Sequence, residues 1–267
     1  MAGKLTNYSE NKILDHILMN TAYPRPANLF LALCTADPGE GATGANIVEP
    51  VAMGYERQPC DDWGSAASRA IANDAAITFP TATGTWGTMA YFAILDSVTA
   101  GAGNVIAYGT ITPNKPIVSG DVAVIEIGDL DVSWDAGGIS DYLANAVLDH
   151  LLAGSAFAQP AQIYIALSDT TINDNDTGST ISEPGENYAR IQQDAWNAAS
   201  GGASSNSGNI VFAKATGGTW GTISNFALLN TLVTGNMFFH STLGTATQIL
   251  VGDTLRFLDT ELDITLD

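Results

Sequence analysis

The sequence predicts a mainly β protein. It should form two homologous antiparallel β-sandwich domains, Ig-like or jelly-roll-like, each with a short N-terminal α-helix. Three observations carry this. The chain repeats itself in order, short apolar runs alternate with turn residues, and no strand–helix–strand alternation calls for a parallel sheet.

The repeat is visible by eye. Asn7-Tyr8 through Leu14-Asp15-His16-Ile17-Leu18 returns as Asp141-Tyr142 through Leu148-Asp149-His150-Leu151-Leu152. Pro26 to Leu33 returns as Pro160 to Leu167, Thr85-Trp86-Gly87-Thr88 as Thr219-Trp220-Gly221-Thr222, and Leu130 to Asp135 as Leu262 to Asp267. The offset drifts only from 134 to 132. The predicted division is therefore 1–135 and 136–267, with Asp135-Ala136-Gly137-Gly138 as a short joint. Each half is large enough to bury its own core. A residue the fold needs should recur, and a residue with a private task need not.

Each repeat opens on an amphipathic helix. Asn7 followed by Glu10 reads as a capping box, and Asp141 as the equivalent cap. Leu14, Ile17 and Leu18 form one apolar stripe, and Val147, Leu148 and Leu151 the other. Strands follow at Leu29–Leu33 and Ile163–Leu167, each entered by Pro-Ala. Long polar loops come next, Asp37 to Met53 and Asp169 to Asn187, which differ in sequence and suit specificity. Tyr55 and Tyr188 begin a further strand, with Arg57 and Arg190 two positions on. Ala75–Phe79, Met89–Leu95, Val105–Tyr108, Asp121–Ile127 and Leu130–Trp134 complete the first set, with counterparts in the second. That gives six to eight short strands per repeat.

The charge is strongly acidic, −19 overall, and the halves carry −9 and −10. Nucleic-acid binding needs phosphate neutralisation that this chain cannot supply, and an anionic membrane would repel it. No secretion signal and no membrane-spanning apolar run is present, so the expected product is soluble and made in a cytoplasm. Cys34 and Cys60 meet Ser168 and Gln193 in the other repeat, which argues against a structural disulfide.

No catalytic, cofactor-binding or metal-binding residue is predicted. Gly39-Glu40-Gly41-Ala42-Thr43-Gly44 has dinucleotide-fingerprint spacing but opens no helix, so it reads as a loop. Asp174-Asn175-Asp176-Thr177-Gly178 lacks the later bidentate acid of an EF-hand and reads as a hydrated turn. Asp129 with Asp131, and Glu261 with Asp263, read as solvated strand faces behind buried Leu130, Val132, Leu262 and Ile264. His16 and His150 recur after Asp and read as scaffold, and His240 stands alone. Trp63, Trp86, Trp196 and Trp220 read as core anchors, the other reading being sugar-stacking platforms. Tyr91 faces Asn225 across the duplication, so the two domains differ there.

These landmarks together resemble a family of bacteriophage virion proteins of the tail-fibre or head-decoration type. The resemblance lies in the helix from Tyr8 to Leu18, the Pro26–Leu33 strand, Tyr55-Glu56-Arg57, the Asn73–Pro80 piece, the Thr-Trp-Gly-Thr turn, and the closing Gly252-Asp253 and Glu261 to Asp267. It covers almost all of both repeats. It implies a non-enzymatic virion protein without cofactor. Capsid decoration or cement, or a tail-associated surface component binding repeated sites, is the first expectation. A receptor- or glycan-binding fibre module is the alternative. The implied partners are the major capsid protein or a tail protein of the same virion, and a second copy in a homo-oligomer, trimer or dimer. Nucleic acid and membrane are excluded as partners. Two linked domains would gain affinity through high effective concentration.

Overall fold

The computed structural model describes residues 1–266; Asp267, the end of the second repeat, lies outside them. The chain is mainly β, with antiparallel-rich curled sheets and two short helices, as the sequence predicts. In the first repeat the elements are β1 (Ala2–Leu5), α1 (Asn7–Leu18), β2 (Phe30–Cys34), β3 (Gln58–Pro59), β4 (Ala70–Ala72), β5 (Ile77–Thr78), β6 (Gly87–Leu95), β7 (Val105–Ile117), β8 (Val124–Ile125) and β9 (Asp131–Ser133). In the second they are α2 (Asp141–Leu148), a π-helical turn (Asp149–Ala153), β10 (Tyr164–Ser168), β11 (Ile191–Gln192), β12 (Ala203–Ser205), β13 (Ile210–Val211), β14 (Gly221–Leu229), β15 (Met237–Ile249), β16 (Arg256–Phe257) and β17 (Asp263–Thr265).

The chain forms two compact units, and each draws on both repeats. The first holds Met1–Glu10, Pro24–Trp134 and Asn145–Phe157. The second holds Asn11–Tyr23, Asp135–Ala144 and Ala158–Asp267. Sequence repeat and spatial unit are therefore different divisions of the chain. Most of α1 is counted in the second unit, and the last turns of the α2 segment in the first.

In the first unit a seven-stranded sheet runs β3-β2-β6-β7-β1-β9-β4. All its pairs are antiparallel except β1 with β9. A small β5–β8 pair accompanies it. Val147, Leu148, Leu151 and Leu152 are buried. Burying each such side chain stabilises by roughly 1.5–3 kcal/mol, which holds the segment down. Asn145 Oδ1 accepts from Arg69 N at 2.9 Å, and Asp149 Oδ1 from Ala66 N at 2.7 Å.

The second unit repeats this with β11-β10-β14-β15 and the separate pairs β12–β17 and β13–β16. Here Ile13, Leu14, Ile17 and Leu18 are buried. Asn11 Oδ1 accepts from Gly202 N at 3.0 Å, and Asp15 Oδ1 from Ala199 N at 2.9 Å. The same Asn and Asp positions thus serve the same turn in each unit.

That turn is a tight hairpin. Ala67 bridges Ala70, and Ser200 bridges Ala203. Both central residues have positive φ, the type I′ pattern. The second unit uses Gly201 and Gly202 there, at 60° and 73°, while the first holds Ser68 and Arg69 at 51° and 67°.

Three local expectations are corrected. The helix caps are Thr6 and Ser140, not Asn7 and Asp141. Ser9 N donates to Thr6 Oγ1 at 3.5 Å and Leu143 N to Ser140 Oγ at 3.1 Å. Each hydroxyl also donates to a strand carbonyl, of Val105 or Met237. A hydroxyl can give and accept at once, whereas an ionised Asp141 could only accept. The second correction concerns the joint. Asp135 to Ile139 occupies the place of β1 and its lead-in: Ile139 bridges Phe239, and His240 N donates to Gly138 O at 2.8 Å. The strands expected at Tyr55 and Tyr188 begin only at Gln58 and Ile191, because the tyrosine amides close local turns onto Ala52 O and Gly185 O instead of pairing with a strand.

Candidate interaction surface

The most elaborate polar structure recurs in both units, buried in the first and partly buried in the second. In the first, Arg57 Nε and Nη2 fork onto Glu49 Oε2 and Oε1 at 3.0 and 2.6 Å. The two side chains are 0% and 6% exposed. Arg57 Nη1 donates to Ser97 O and Ala102 O at 2.8 and 2.9 Å. Tyr55 Oη donates to Glu49 at 3.2 Å and accepts from Leu33 N at 3.0 Å. One guanidinium therefore ties the loop carrying Glu49 to the β6–β7 loop, and the tyrosine ties both to β2. Burial, with the Glu49 charge second, pushes the Tyr55 hydroxyl well above its usual range.

The second unit rebuilds this with other loops. Arg190 forks onto Glu183 at 2.7 and 3.0 Å and donates to Thr231 O and Thr234 O at 3.1 and 3.0 Å. Tyr188 Oη reaches Glu183 at 3.1 Å and receives Leu167 N at 2.7 Å. A pair with one partner removed leaves an uncompensated buried charge, so these clusters hold loop shape rather than reacting with solvent. The glutamates were missed from sequence, although Glu-Pro recurs at Glu49-Pro50 and Glu183-Pro184.

Gly44 shows why the glycine-rich run must end on glycine. Its N donates to Gly103 O at 2.9 Å, and a Cβ there would sit 1.9 Å from Ala102 O. Gly178 repeats the contact against Gly235 and Thr234. Close backbone approach, not phosphate binding, demands glycine here.

Between Gly44–Arg57 and Val98–Gly101 the first unit carries a groove of about 840 Å³. Its exposed edge carries three valines, Val48, Val98 and Val51, the last 87% exposed, together with Glu56 and Thr99. Ser182 and Gly185 stand at the positions of Val48 and Val51 in the second unit.

The other candidates resolve into scaffold. Asp176 Oδ2 accepts from Asn173 N at 2.7 Å, and its Oδ1 accepts from Thr180 Oγ1 at 2.9 Å. Asp174 Oδ1 meets His240 Nε2 at 2.8 Å, and its Oδ2 accepts from Gly137 N at 3.0 Å. These carboxylates are engaged by their own unit. His16 Nδ1 accepts from Tyr23 N and His150 Nδ1 from Phe157 N, both at 3.1 Å, closing the chain after each helix. Asp129, Glu261 and Asp263 are exposed and Asp131 half-buried, with Leu130, Val132, Leu262 and Ile264 buried behind them. Partial burial raises the Asp131 carboxyl above its usual value. Trp63, Trp86, Trp196 and Trp220 are all buried in the core. Cys34 and Cys60 are buried free thiols. Cys34 pairs across strands with Tyr91, and its counterpart Ser168 with Asn225. The second pair is polar and bonds to Thr170 O, Ser168 at 3.0 Å and Asn225 at 2.8 Å.

The family described as Podophage GP4 fiber I protein gp80 matches the chain twice, over residues 4–133 and 138–265. No curated protein matches it. Among the described residues, no helix is long and apolar enough to cross a membrane.

Proposed function

We propose, from the premise that this chain belongs to the podophage GP4 fibre I family of phage structural proteins, that it is a non-enzymatic, tail-associated component of the virion. In this reading its loop edges grip another protein of the same particle. One observation carries it. The buried Glu49–Arg57–Tyr55 cluster fixes a groove whose rim exposes Val48, Val51 and Val98. Rigid loops with apolar tips lose little entropy when they dock on protein. The glycan-binding reading is less well served, because the four recurring tryptophans are buried and offer no ring to a sugar. Homo-oligomerisation would multiply such contacts, each further site engaging at high effective concentration.

Gold-labelled antibody against this chain, imaged on purified particles, should decorate the tail. Label on the head surface would favour decoration instead, and unlabelled particles would remove the proposal. Val51→Asp, at a fully accessible site, should leave folding unchanged and reduce incorporation into particles.

A further inference from the structure

The duplication exposes a second surface by contrast. In the first unit a cavity of about 470 Å³ opens beside β8, floored by Leu33, Met89, Ile117 and Ile125. That volume lies within the usual range of ligand sites, about 300–1,000 Å³. The strand registers identify the matching positions in the second unit. Ile77 faces Ile125, and Ile210 faces Phe257. Phe79 N donates to Ala123 O, and Phe212 N to Leu255 O. Ile125 and Ala123 are therefore answered by Phe257 and Leu255, both larger and both buried. The Phe257 ring packs edge-on against Phe212 and Phe226, each with centroids 6.4 Å away.

The rim differs in the same sense. Val122 and Val124, which line the cavity, are 47% and 43% exposed in the first unit. Thr254 and Arg256 replace them in the second. Where the second unit fills the position with its own phenyl ring beside Thr254 and Arg256, the first leaves space beside exposed Val122 and Val124; Leu258 stands where the first has Glu126. Clustered exposed apolar residues of this kind mark interaction sites. Glu126 and Asp129 flank the cavity beside Lys115 and the Met1 ammonium, on a chain of net charge −19.

We infer that this cavity is a docking site for an aromatic side chain, carried on a partner polypeptide with a basic residue beside it. The second unit's Phe257 shows which group the fold accepts at this position, and the net charge of −19 favours a basic flank on the partner. This surface is separate from the loop groove and stands whether or not that groove docks.

The test uses the full-length protein and the capped peptide Gly-Lys-Phe-Lys-Gly, followed by saturation-transfer NMR. Burying a phenyl ring is worth roughly 1.5–3 kcal/mol, so replacing the central Phe by Ala should weaken binding about tenfold or more. The double variant Ala123→Leu/Ile125→Phe copies the second unit and should lose binding while unfolding at the same or higher urea concentration. Should that variant fold poorly, Val124→Arg, at an exposed position, should also weaken binding. No saturable binding at millimolar peptide would overturn the inference. So would equal binding by the Phe and Ala peptides, or unchanged binding in both variants. Binding of free toluene without binding of the peptide would likewise overturn a polypeptide occupant.

Discussion

Asp15 Oδ1 accepts a hydrogen bond from the backbone N of Ala199, 184 positions further along the chain. Asp149 makes the matching bond to Ala66 N in the other unit. Asp15→Ala would leave that amide without its acceptor, at a cost of about 1–3 kcal/mol. Asp15→Asn keeps an acceptor oxygen and should recover most of the loss. Urea unfolding of the three proteins measures both steps. If Asp15→Ala unfolds at the wild-type midpoint, the bond does not contribute to holding α1.

The turn served by α2 invites a stabilising change. Ser68 is exposed and sits at φ 51°, where the second unit has Gly201. Left-handed backbone costs a non-glycine residue roughly 1–2 kcal/mol. Ser68→Gly should therefore raise the unfolding free energy by about 1 kcal/mol. A lower denaturant midpoint would contradict this account of the turn.

Two ion pairs should behave oppositely. Arg57→Ala strands Glu49 in the interior, and breaking a buried pair costs about 3–5 kcal/mol. Arg57→Lys cannot reproduce the fork and should recover only part of it. Lys4 pairs with Glu40 at the surface, with side chains 58% and 40% exposed. Lys4→Ala should cost under about 1 kcal/mol. Equal losses at the two sites would refute the distinction.

Alkali should destabilise the fold. Burial pushes the Cys34 thiol from 9.0 up to about 12, and lifts Cys60, Tyr55 and Tyr188 as well. The unfolded chain releases these protons first, so it gains on the native state as pH rises. The Cys34 contribution is complete below about pH 9 and is lost between there and about 12. Denaturant midpoints measured from pH 7 to 11 should stay level and then fall. Cys34→Ser should soften the fall, as the second unit already has Ser168 at that place.

The same burial predicts slow thiol chemistry. Cys34 and Cys60 should react with a thiol reagent at pH 8 only as fast as the chain opens, and at once in urea. Reducing agent should leave the melting temperature unchanged, because both thiols are free. Rapid labelling of the native protein would show either cysteine to be accessible.

Much of the fold was legible because strand and helix periodicity are local. The stripes Leu14-Ile17-Leu18 and Val147-Leu148-Leu151 are buried as the 3.6-residue repeat requires. The caps were misplaced by one residue because Asn7 and Asp141 are themselves good caps. The recurrence of a hydroxyl at Thr6 and Ser140 was the better signal. The hairpin turn is announced by Gly201-Gly202, yet hidden in Ser68-Arg69, which pays strain to adopt it. Glu49 and Glu183 escaped notice because they lie in loops whose surroundings diverge. Their partners, Arg57 and Arg190, were visible, but an ion pair within a loop has no periodicity to betray it. The roles of Asn11, Asp15, Asn145 and Asp149 depend on contacts between distant stretches, which no local pattern encodes.

Because each compact unit takes a helical segment from the opposite repeat, genetic recombination near residue 136 would not shuffle intact modules. A crossover between two divergent relatives there would yield a chimera with mixed parentage in both units. Asn11 and Asp15 from one parent would then meet a hairpin inherited from the other. Such hybrids survive only where helix and hairpin have diverged together, so these two elements should co-vary across the duplication more tightly than neighbours within one repeat.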